Sequence, residues 1–120
     1  ETGLDPAGVE VLGTLPPVPL VFSRHLVTPV LGWWRERSAV GVMDVAESTD
    51  VFRVPVADLL DPANRGVTSP TGDRWAPSFL VHRRGRPLVL WGFTAMLLDG
   101  LFDALGWTEP WDRERRVPLG

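Results

Sequence analysis

Twelve glycines and twelve prolines punctuate a chain of 120 residues, and that density sets the first limit on its fold. Glycine is entropically costly inside helices and strands, and proline lacks the N–H that a helix or a ladder needs. A bundle of long helices is therefore disfavoured, and the chain must be assembled from several short elements joined by turns. Hydrophobic residues make up 44% and charged residues 22%. That is enough apolar surface to offset the ordering entropy of one folded domain, while the length leaves no room for a second.

Cysteine is absent, which removes disulfides, thiolate zinc, iron–sulfur ligation and a cysteine nucleophile, and points to a cytoplasmic location. No run of about 18 apolar residues and no signal-peptide pattern is present, so no membrane partner is expected. The net charge of −3 provides no general field for polyanions, and no nucleic-acid partner is expected either. All twelve basic residues are arginine, a bias that a GC-rich genome produces without selection for guanidinium chemistry.

Periodicity divides the chain as follows. Glu1-Thr2-Gly3-Leu4-Asp5-Pro6 reads as the end of a helix whose body lies upstream. Short β-prone runs follow at 9–12 and 20–22, then a longer strand at 25–34, whose near-continuous apolarity predicts burial on both faces. Pro29 within it marks an edge or a bulge. Residues 35–46 form a charged connection, 51–55 a strand, and 56–60 one or two helical turns stopped by Asp61-Pro62. Residues 64–77 read as a long loop. A hairpin with strands at 78–82 and 87–91 and a basic tip, Arg83, Arg84 and Arg86, comes next. Thr94 is placed to cap a helix reaching Leu105, with Phe93, Met96, Leu97, Leu101 and Leu105 on one face and Leu98 and Phe102 widening it, and Gly106 ends the helix. The remainder reads as a surface tail.

Four phrases in this order, E-T-G-L (1–4), V-T-P-V-L-G-W-W (27–34), V-F-R-V-P with D-P-A-N-R (51–55 and 61–65), and W-G-F-T-A (91–95), together resemble the Nudix hydrolases, and within them the coenzyme A diphosphatase-like branch. The resemblance spans residues 1–107. It implies an α/β fold, an α/β/α sandwich with a mixed sheet, here incomplete at its N-terminus, with 108–120 as a surface tail. The family's motif ends R-E-U-x-E-E-x-G-U, U being aliphatic. Glu1 matches the final Glu, Gly3 the Gly and Leu4 the last aliphatic position, while the earlier letters are absent.

The activity implied is metal-dependent hydrolysis of a nucleoside diphosphate linkage. Coenzyme A or an acyl-coenzyme A is the expected small-molecule substrate, and phosphopantetheine and adenosine 3′,5′-bisphosphate are the products. Such chemistry needs Mg2+ or Mn2+ to screen the diphosphate, stabilise the leaving phosphate and lower the pKa of the attacking water. By resemblance Glu1 is one carboxylate ligand among several, and Glu47, ahead of the V-F phrase, is a second position for metal or water positioning. One carboxylate cannot assemble an octahedral site, so this stretch by itself is expected to be inactive. The alternative is a binding or interaction module that keeps a degenerate Nudix fold without chemistry.

Other residues have plainer readings. Asp99 and Asp103 are one helical turn apart but lack a third ligand on that face, which favours a solvated helix surface. The tip arginines suit phosphate, and equally suit a charged turn guarding an edge. His25 and His82 are too few for zinc, and Ser23 with His25 lacks the context of a catalytic triad. Trp33, Trp34 and Trp91 read as core or sheet-face packing, with stacking on an adenine ring as the sharper alternative. Missing first strands would leave an unpaired strand edge and an uncovered apolar face, so either marginal stability or self-association, as a homo-oligomer, is expected.

Overall fold

Residues 4–20, 24–36 and 52–119 are described in a computed structural model, which falls into two units, Glu1–Arg53 and Val54–Gly120. The helix end expected at Glu1, the last two residues of the run expected at 20–22, most of the connection expected over 35–46 and Val51 lie outside the described residues, and residues 52–55 do not form the strand expected there.

In the first unit the Asp5 carboxylate accepts a bond from the Ala7 N–H at 3.0 Å and caps a single 3-10 turn, Pro6–Gly8. Four strands follow: β1 (Val9–Thr14), β2 (Val18–Leu20), β3 (His25–Val27) and β4 (Val30–Trp34). They form two antiparallel ribbons, β1 with β4 and β2 with β3. Leu12 is the extra residue of a bulge, because Val11 faces Gly32 while Gly13 faces Leu31.

The single strand expected over 25–34 is therefore two. Pro29 has no N–H to give, and its carbonyl instead accepts from Leu15 N–H at 2.9 Å where the chain passes from one ribbon to the other. The expected two-faced burial is overturned as well. Leu26 is 70% exposed and Trp33 63%, with Val11, Leu12 and Val30 also exposed, and among the described residues of this unit only Gly8 is buried. A two-stranded ribbon has no second layer within itself, so apolar composition alone does not bury it. These exposed apolar side chains leave the ribbons without a cover among the described residues.

In the second unit, α1 (Val56–Leu60) buries Leu59 and ends at Asp61. The Asp61 carboxylate then caps a 3-10 turn, Pro62–Asn64, through the Ala63 N–H at 3.0 Å. Three strands, β5 (Arg65–Thr68), β6 (Ala76–Arg83) and β7 (Arg86–Leu90), make an antiparallel sheet in the order β5-β6-β7. The hairpin expected from the sequence is present. Arg84 (φ 53°) and Gly85 (φ 78°) both take left-handed backbone, as a two-residue type I′ turn requires.

Two expectations are corrected in this unit. All four residues of β5, and Ala76 and Pro77 of β6, fall within the stretch 64–77 read as a long loop. Arg65-Gly66-Val67-Thr68 has no alternation to announce a strand, and its register comes from pairing with 76–79 of β6. The second correction concerns α2 (Phe93–Leu105), whose cap is Gly92 rather than Thr94. Its buried residues are Ala95 and Phe102, and Met96 and Leu105 are exposed. The buried face is rotated toward Ala95, whose small side chain lets the helix approach β6. The C-terminal end is as expected, with Gly106 left-handed and the N–H groups of Gly106 and Trp107 closing on Asp103 and Phe102 carbonyls at 3.0 and 2.9 Å.

Leu59, Phe79, Val81, Ala95, Phe102 and Trp111 form the buried apolar core. Phe79 and Phe102 meet edge to face, with ring centroids 6.1 Å apart and planes at 83°. The described residues thus combine three antiparallel sheets and two α-helices. Their parallel component is an isolated bridge between Val67 and Arg116. No helix among the described residues is long and apolar enough to cross a membrane.

Candidate functional site

Glu1 and Glu47, the two carboxylates tied to metal by resemblance, lie outside the described residues, as does Ser23. Among the described residues no group of three or more His, Asp or Glu is placed to hold an ion. The described side chains do not fit a cation cradle of the kind diphosphate hydrolysis needs. His25 on β3 and His82 on β6 are both exposed, one in each unit, and Asp103 is solvated. Trp33 and Trp91 are exposed, which removes the core alternative for both and leaves Trp33 on a face of the β1–β4 ribbon. Trp34 is half-buried, and the Arg53 guanidinium stacks on it at 4.6 Å.

Asp99 is the departure. The expectation of a solvated helix surface fails there, because its carboxylate accepts a bond from Arg65 Nη2 at 2.5 Å. Arg65 is 1% exposed, and its guanidinium stacks on the rings of both Phe79, at 4.3 Å, and Trp111, at 4.5 Å. Local sequence explains the placement. The capped 3-10 turn of Pro62–Asn64 ends at Arg65, the first residue of β5, opposite Phe79 on β6. Asn64 Nδ2 ties the turn to α1 by donating to the Asp58 carbonyl at 2.9 Å. Arg65 Nε and Nη1 and Trp111 Nε1 have no hydrogen-bond partner among the described residues, so the cation is held by one carboxylate and two aromatic faces.

The segment after α2 runs along β5 instead of trailing from it. Val67 N–H donates to the Arg115 carbonyl at 2.8 Å, and Val117 N–H donates to the Val67 carbonyl at 2.9 Å. Thr68 Oγ1 donates to the Val117 carbonyl at 2.9 Å and lies 2.9 Å from the Ser78 hydroxyl. The close approach explains Gly66, where a Cβ would sit 2.5 Å from Val117 Cγ2 and 2.9 Å from the Arg115 carbonyl oxygen. Arg115 also donates to the Ala63 carbonyl. Within the segment the Asp112 side chain accepts from Glu114 N–H at 2.9 Å, which fixes a turn.

Between this turn and the residue preceding β6 lies a cleft of about 650 Å³, walled by Trp75, Trp111, Arg113, Glu114 and Arg116 over a floor of Val67 and Pro77. The guanidinium of Arg113 stacks on Trp111 at 4.2 Å and that of Arg116 on Trp75 at 4.5 Å. Neither arginine has a carboxylate partner among the described residues. The chemical means present are aromatic faces, two cationic forks and one acceptor carboxylate, groups suited to binding a ligand and not to cleaving a bond.

No family model, curated protein or solved structure matches the chain. Sequence reading singled out carboxylates and missed Arg65 and the cleft. For Arg65 a signal existed, an arginine closing a capped turn between two apolar stretches. Arg113 and Arg116 become a site only when the tail meets Trp75, about 40 residues away in sequence, and no local pattern announces such a pairing.

Proposed function

We propose that the chain forms the C-terminal part of a Nudix-type hydrolase that cleaves a nucleoside diphosphate linkage, with coenzyme A or its thioesters as substrate. The observation that carries this reading is the ordered series of phrases over 1–107. Two of them organise the second unit. D-P-A-N-R brings Arg65 to the head of β5, and W-G-F-T-A opens α2, whose Asp99 holds Arg65. These two phrases therefore supply Arg65 and the start of α2 to the second unit. In this reading the complete domain is an α/β/α sandwich, and Glu1 is one of several carboxylate ligands for Mg2+ or Mn2+.

A second reading is a non-catalytic module on the same fold. It is favoured by the cleft at Trp75, whose wall offers two arginines and one carboxylate, groups suited to binding. One experiment separates the two. The chain extended by the residues encoded ahead of Glu1 is incubated with Mg2+ and coenzyme A, and adenosine 3′,5′-bisphosphate is measured. The hydrolase reading expects product from the extended chain, none from the 120 residues by themselves, and loss of product in Glu1→Gln. An extended, folded chain that releases no nucleotide from any diphosphate tried leaves the module.

A further inference from the structure

We propose that the cleft between Trp75 and the 111–116 turn is a binding site for a nucleoside monophosphate. Its volume of about 650 Å³ lies within the range of small-ligand pockets, roughly 300 to 1,000 Å³. Trp75 is 40% exposed, while Trp111 is buried at 9%, so Trp75 is the indole with surface left for a planar ring, on the side that Arg116 does not cover. Base-on-indole stacking is tolerant of base identity, because every base has a π-face.

The phosphate follows from the guanidinium groups. Arg113 and Arg116 each rest on an indole and have no carboxylate partner among the described residues. Their forks are therefore partly immobilised before a ligand arrives, and their N–H donors match phosphate oxygens. Glu114 is the acidic member of the wall. Its carboxylate accepts hydrogen bonds from ribose hydroxyls and counts against a polyanion. Two cations and one anion suit a single phosphoryl group, and the net charge of −3 does not favour a nucleic-acid strand.

The turn that presents these groups is fixed from both ends. Asp112 closes it, and the bonds between Val67, Arg115 and Val117 hold it against β5. The site belongs wholly to the second unit and does not rest on the hydrolase reading, because binding is measured without turnover.

The test is calorimetric titration of the 120-residue chain with adenosine 5′-monophosphate, adenosine and inorganic phosphate as separate probes. The expected result is one monophosphate per chain, bound about tenfold or more tighter than either adenosine or phosphate. Arg113→Gln with Arg116→Gln should remove that advantage and leave adenosine binding in place. Trp75→Ala should weaken both adenosine and the monophosphate, and Trp75→Phe should restore them in part. The thermal transition of each variant, compared with the parent, identifies any that fail to fold. The proposal is overturned if the monophosphate binds no tighter than phosphate alone, if the double arginine variant retains full affinity, or if a single-stranded oligonucleotide outcompetes the monophosphate.

Discussion

The two units spend similar apolar sequence in opposite ways. β4 in the first carries Val30, Leu31, Trp33 and Trp34, and β6 in the second carries Phe79, Leu80 and Val81. Trp33 and Val30 face solvent, whereas Phe79 and Val81 are buried. The difference is a second layer. β6 has neighbours on both edges and α2 against it, while the first unit offers two-stranded ribbons. Burial is a property of layering, and an apolar strand acquires it only when another element is there to cover it.

The sharpest way to break the comparison is through the two ion pairs. Arg65–Asp99 is buried, and Arg35–Glu10 is exposed. Asp99→Ala leaves a buried guanidinium without its carboxylate and is expected to cost about 3 to 5 kcal/mol in chemical denaturation. Glu10→Ala is expected to cost less than about 1 kcal/mol. Equal costs would erase the distinction between the units.

A smaller effect is expected at the glycines. Gly66→Ala drives a methyl into Val117 and the Arg115 carbonyl, which should cost about 1 to 3 kcal/mol and loosen the cleft by displacing the turn. Gly32→Ala places its Cβ 3.7 Å from the Glu10 carbonyl oxygen, an ordinary contact, and 2.8 Å from the Val9 Cγ1 methyl. That methyl can turn away, so the loss should be visibly smaller in the same assay.

How much of this was legible in the sequence depends on whether the signal was local. α1, the β6–β7 hairpin with its Arg84-Gly85 turn, and the Gly106 end of α2 follow from caps, turns and breakers within a few residues. β5 does not, because Gly66 and Thr68 are strand residues only by virtue of β6 on one side and the 115–117 segment on the other. The face of α2 was misplaced by one position for a related reason. Periodicity counts Met96 and Leu105 as apolar, but the packed face is chosen by Ala95, which is small, and by Asp99, which answers Arg65. Carboxylates drew attention as candidate ligands, yet the described one with a buried partner is structural, and the cleft is built from arginines and tryptophans.

The smallest expected effect on stability, and the most useful for the first unit, comes from its exposed apolar face. Leu26→Ser combined with Trp33→Ser should change the denaturation midpoint little, since both side chains are mostly exposed. In sedimentation velocity the same variant should shift the chain toward monomer at concentrations where the parent self-associates. A parent that is monomeric throughout would remove the reason for that face to be covered by a second copy.

Cohesion resides in residues 54–119, around Arg65, Asp99, Phe79 and Phe102. Native-state hydrogen exchange tests it most directly. The account predicts that amides of β5, β6 and α2 exchange only through the global opening, while those of β1 to β4 exchange through local openings of much lower free energy. Uniform protection across β1 to β4 and β5 to α2 would contradict it.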